Sequence, residues 1–204
     1  MPIIKPELQR KRTVRWTILV IFVTFFLAVA FAFVTNYLLQ NMHSILFSLL
    51  LLLVIIIIGI IFDVLGTAVT AANERPFHAK ASKKIYGAKK GIYLVRNADH
   101  VANFCSDIVG DIFGIISGIT AAIIVVNIVF SYPSLNEMMT SILLVGLVSS
   151  LTVGGKALGK TIAIRKPTEI VHFIARLLTT IENVFSLKRK KKQKKAPEQK
   201  NKDL

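Results

Sequence analysis

The sequence contains a single cysteine, Cys105, in 204 residues. No intrachain disulfide can form, and cysteine usage carries no information about redox compartment. Its place inside an apolar run reads as a small buried hydrophobe. Negative charge is also scarce: 11 Asp and Glu stand against 26 Lys and Arg, for a net charge of +15. The four histidines (His43, His78, His100 and His172) are scattered, and no His/Cys spacing resembles a zinc site. There is no internal repeat and no Walker, Rossmann, Ser-His-Asp or HExxH pattern. With no nucleophile–base pair either, the chain is not expected to be an enzyme. The length suits one membrane domain and leaves no expected room for a separate soluble catalytic domain.

What is abundant is apolar sequence. Hydrophobic residues make up 53% of the chain and the mean hydropathy is +0.61. The expected class is an all-α integral membrane protein, with four transmembrane helices plus a cytoplasmic amphipathic helix. Residues 1–15 are a basic N-terminus carrying Lys5, Arg10, Lys11, Arg12 and Arg15. Residues 16–166 form the transmembrane domain, 167–187 the amphipathic juxtamembrane helix, and 188–204 a disordered polybasic tail.

The first span runs over 17–39, behind Trp16 as an interfacial aromatic. Ala28-Val29-Ala30 has the form of a signal-peptidase site, but Phe31 to Val34 keep the run apolar beyond it, which favours a retained helix. The second span runs from Ile45 to about Thr67, the third from Val101 to Phe130, and the fourth from about Met138 to Ile164. Five Lys/Arg precede the first span and seven lie between Asn73 and His100, whereas the two other loops have none. The positive-inside rule then puts both termini in the cytoplasm of a cell-membrane protein. After Pro167, apolar residues from Ile170 to Phe185 recur at helical spacing, and Lys188 to Lys195 follow. That segment is expected on the membrane surface or against a partner protomer, with anionic lipid headgroups drawn to the basic tail. Nucleic acid is not expected as a partner.

The third span carries the most unusual pattern. On an ideal α-helical wheel Asn103, Asp107, Gly110, Asp111, Gly114, Ser117 and Gly118 share one face. Ile108, Ile112, Ile115, Ile116 and Ile119 fall largely elsewhere. Ionisable groups in lipid are costly and normally face protein or a watery cavity. Two readings stand. One is packing: Gly110, Gly114 and Gly118 meet a neighbouring helix, as would Gly154 and Gly155 in the fourth span, through small-residue faces that also suit a homodimer. The other is a cation site of Asp107, Asp111 and Asp63, with Asn103, Ser106 and Ser117 as weaker ligands and Lys156 tuning the charge. Three acids and one base leave about −2, enough to accept one divalent ion.

Three sequence blocks resemble the transmembrane domain of the CorB/CorC and cyclin-M (CNNM) magnesium transporter family. Phe62-Asp-Val-Leu-Gly-Thr-Ala-Val-Thr-Ala-Ala-Asn73 resembles its F-S-G-S-E-T-A-L-T-S-L-N. Ser106-Asp-Ile-Val-Gly-Asp111 resembles G-N-x-x-x-N. Gly155-Lys-Ala-Leu-Gly-Lys-Thr-Ile-Ala-Ile-Arg-Lys-Pro-Thr-Glu-Ile170 resembles G-E-x-x-P-K-T-x-A-x-R-x-P-E-x-I. The resemblance begins near residue 55 and ends near Phe185. It implies a dimeric transporter that binds Mg²⁺ or a similar divalent cation and exposes it alternately to either side. The family's nucleotide-binding CBS domains are expected to be lacking. Asp63, Leu65 and Gly66 stand where the family has Ser and Glu, Asp107 and Asp111 where it has paired Asn, and Lys156 and Gly159 where it has Glu and Pro. From these departures comes the alternative: a non-transporting membrane scaffold or assembly partner that keeps the family fold.

Overall fold

The computed structural model describes residues 6–40 and 44–195, with side chains over 14–40 and 44–184. Of the expected elements, the outermost N-terminal residues, the centre of the first turn (41–43) and residues 196–204 of the tail lie outside these ranges. Among the described residues all regular structure is helical. Helix α1 covers Pro6–Gln40, α2 Ile45–Ala71, α3 Arg75–Ser82, α4 Ala88–Arg96 and α5 Ala98–Ala102. A π-helical segment, Asn103–Gly110, leads into α6, Asp111–Ser131. Helix α7 covers Glu137–Arg165 and α8 Pro167–Lys195.

Four stretches are long and apolar enough to cross a membrane: Val14–Gln40, Ile45–Ala71, Ala98–Ser131 and Glu137–Arg165. They coincide with the four expected spans. Such runs become helices because only intrahelical bonding satisfies every backbone N–H and C=O away from water. Local chemistry sets several ends. Asn136 caps α7 by accepting the Met139 backbone N–H at 3.2 Å. Pro167 disfavours helical geometry at Lys166, so α7 ends and α8 restarts with proline at its first position.

Helix α2 is the central element and touches α5, the π segment, α6, α7 and α8. Its N-terminal half packs Leu52 and Ile56 against Ala121, Ile124 and Val148. Beside this layer, Ile55 meets Ile108, Val109, Ile112, Phe113 and Ile116. Helix α1 is peripheral. It leans on that cluster through Val20, Leu27, Ala28 and Phe31, with the Phe31 and Phe113 ring centroids 4.9 Å apart. Phe22, Phe25, Phe26 and Phe33 point away from the bundle.

The basic end is capped by α3, α4 and α8. Phe77, Leu94, Val171 and Ala175 close over Ala68, Val69 and Ala163. The α3–α4 turn needs glycine at Gly87, where φ is +84° and a Cβ would sit 2.9 Å from the Arg176 backbone nitrogen. The helix expected over 167–187 continues to Lys195, eight residues into the stretch expected to be disordered. Lys, Arg and Gln are good helix formers, so their charge does not end the backbone pattern.

Candidate functional site

The third span is not the uniform α-helix that the wheel assumes. Over Asn103–Gly110 the backbone is π-helical, closed by i→i+5 bonds. A π turn takes more residues than an α turn, so each residue advances by less than 100° and everything after it is rotated from its expected place. The single polar stripe splits. Gly110 and Ser117 turn inward and are buried, while Asp107, Asp111 and Gly118 are exposed. Ile108, Ile112 and Ile116, expected to lie off the working face, are buried too, in one cluster with Ile55 of α2 and residues of α1.

The split decides which glycines serve packing within one protomer. A Cβ on Gly110 would lie 3.7 Å from Asp63 Cβ, and one on Gly155 would run 2.3 Å from the end of Ile60. For Gly114, Gly118 and Gly154, as for Gly146, nothing lies within 4 Å. The closest helix approach falls at Gly66, not singled out as a packing glycine from sequence. A Cβ there would be 2.3 Å from Ser106 Oγ and 3.1 Å from the Ala102 carbonyl.

Asp63 is the one buried carboxylate of the spans, its side chain 4% exposed. Lys160 Nζ approaches its Oδ2 at 3.3 Å from α7, without the alignment of a hydrogen bond. Ser106 Oγ donates to the Asp63 carbonyl at 3.2 Å and stitches the π segment to α2. Asp111 faces Lys156, Oδ1 to Nζ 3.6 Å, and Lys156 also reaches the Gly110 carbonyl at 3.5 Å. Asp107 Oδ2 accepts from Asn103 Nδ2 at 2.9 Å. Ser117 spends its hydroxyl on the Gly114 carbonyl of its own helix at 2.8 Å.

Asp63, Asp107 and Asp111 are thus each taken up by a different side chain. Among the described residues no group of three His, Cys, Asp or Glu side chains is placed to hold a metal ion. The charge count expected from sequence also changes. Lys160 lies one turn beyond Lys156 on α7 and supplies a second base, so the five groups sum to −1 rather than −2 for four. The signal was present as two lysines at i,i+4 in an apolar span, which puts both on one side of a helix. Two acceptors remain buried and unbonded, Asp63 Oδ2 and Asn103 Oδ1.

A cavity of about 610 Å³ opens at the opposite end of the bundle, between α1, α2 and α6. Asn36, Gln40, Ser44, Ser48, Asn127 and Ser131 supply its polar lining, with no ionisable group among them. At the basic end, Arg96 Nε donates to Glu74 at 3.0 Å and His78 lies 3.2 Å from the same oxygen, and together they hold the Glu74 carboxyl low. Burial, then the nearby Lys80 and Arg176, hold His172 below its ordinary value, and its Nδ1 has no hydrogen-bond partner.

Fold and site together define a chain whose regular structure, among the described residues, is all helical, with four helices long and apolar enough to cross a membrane and an ion-paired polar cluster near its basic end. Compared with known protein families, curated proteins and solved structures, the sequence and fold match none.

Proposed function

We propose that this protein is a non-transporting membrane scaffold or assembly partner that keeps the CorB/CorC and cyclin-M type of bundle. It sits in the cell membrane with both termini cytoplasmic. The observation that carries this reading is the pairing of every aspartate in the cluster within its own chain: Asp63 with Lys160, Asp111 with Lys156, Asp107 with Asn103. Mg²⁺ takes oxygen ligands and keeps several waters. The residues present do not fit such an ion, because two ammonium groups stand where its positive charge would.

The scaffold reading also accounts for the open faces. Asp111 is 67% exposed on a span whose neighbouring positions Ile115 and Ile119 are exposed too. A carboxylate turned toward hydrocarbon is costly, so a covering protein surface is favoured. The open Gly114 and Gly118 beside it let a second backbone come close. A homodimer through this face covers both features.

A second reading, a divalent-cation transporter, draws on the two unbonded buried oxygens of Asp63 and Asn103 and on the π segment between them. π segments recur at functional sites. Purified protein separates the two readings. As a scaffold, it shows no Mg²⁺- or Mn²⁺-dependent rise in melting temperature and no Mg²⁺ flux into liposomes above that of empty ones. A saturable melting shift or a flux abolished by Asp63→Asn overturns the scaffold reading.

A further inference from the structure

Helix α8 has two apolar faces. Val171, Ala175 and Leu178 pack into the core at the basic end. On the other side Phe173, Leu177, Ile181 and Val184 form a continuous stripe, each 49–64% exposed. At 100° per residue the two faces are roughly opposite. One face suffices to fold the helix against the bundle, so the second is unexplained by the fold.

We infer that the outer face of α8 is a docking surface for an anionic phospholipid bilayer. Position is the first argument. Helix α8 begins one residue after the fourth span ends at Arg165, and its inner face rests on Ala68 and Val69 at the end of the second span. It therefore lies where a bilayer surface would be. Charge is the second. Beyond Val184 the sequence supplies Lys188, Arg189, Lys190, Lys191, Lys192, Lys194 and Lys195 before the next acid at Glu198. The described acids of α8 are already engaged by lysines of the same chain, Glu169 by Lys166 and Glu182 by Lys90. An apolar stripe followed in sequence by a run of lysines is the pattern of an interfacial helix. A second copy of a +15 chain brings no surplus negative charge to those lysines.

The test uses the full chain in nanodiscs, with Cys105→Ala as background and a fluorophore on Ile181→Cys. Each lysine near an anionic surface shifts docking by roughly fivefold, and salt weakens it. In discs containing phosphatidylserine the label is expected to be shielded from a water-soluble quencher. Neutral phosphatidylcholine discs, raised salt, or joint replacement of Lys188, Lys191, Lys192 and Lys195 by Gln should each restore quenching. Equal quenching in both kinds of disc overturns the inference. So does shielding accompanied by strong label–label coupling, because a second copy then covers the stripe.

Discussion

Lys160 and Asp63 are an unequal pair, and the inequality can be measured. The Asp63 side chain is 4% exposed and that of Lys160 49%. Replacing Lys160 by Met strands a carboxylate that cannot reach water. Breaking a buried pair from one side costs about 3–5 kcal/mol, and the half-exposed lysine places this case near the lower figure. Replacing Asp63 by Asn instead strands an ammonium on a long side chain that can swing to solvent. That loss resembles an exposed pair, about 1 kcal/mol or less. The double variant should fall close to Asp63→Asn alone, giving a coupling energy about equal to the Lys160→Met cost, about 3 kcal/mol. Equilibrium unfolding in mixed lipid–detergent micelles supplies all three differences. If Asp63→Asn proves as costly as Lys160→Met, or if Lys160→Met costs under about 1 kcal/mol, the lysine is not what holds the buried charge.

Three further predictions rest on other features of the bundle and its basic end. Gly66→Ala drives a methyl group into Ser106 and the Ala102 carbonyl and should cost about 1–3 kcal/mol, with partial recovery in a Ser106→Ala background. Gly114→Ala meets nothing in the protomer, so helix propensity should stabilise the monomer by up to about 1 kcal/mol while cross-linking and native mass show a weakened dimer; an unchanged dimer removes this face from the interface. His172 is held below its ordinary value of 6.5, so its neutral form adds stability above pH 6.5 that is lost as pH falls through the folded value. The melting temperature should drop between pH 7.5 and 5.5, and His172→Gln should flatten that drop. Glu74, held low, contributes at full strength throughout this window. A wild-type profile that is flat or rises on acidification refutes the assignment.

The sequence by itself determined the four helices long and apolar enough to cross a membrane, and the amphipathic character of α8. Both follow from properties that add up along the chain: hydropathy over some twenty residues, the need to satisfy backbone groups within one segment, and a 3.6-residue period. Pro167 and Asn136 fixed their helix ends locally, through φ restriction and side-chain capping. The polar stripe of the third span was legible as composition but not as a surface. Its reading assumed a constant 100° step, and the π segment at Asn103–Gly110 breaks that step where the candidate ligands lie. Tertiary structure alone decided that Ile108, Ile112 and Ile116 are buried in one cluster with Ile55, that Gly66 rather than Gly114 receives a neighbouring helix, and that Lys160 reaches Asp63. The physical reason is rotational. Hydropathy says that a helix is buried in an apolar medium, but its rotation about its own axis is set by which neighbour's side chains fill the grooves, and that information resides in α2 and α7 together.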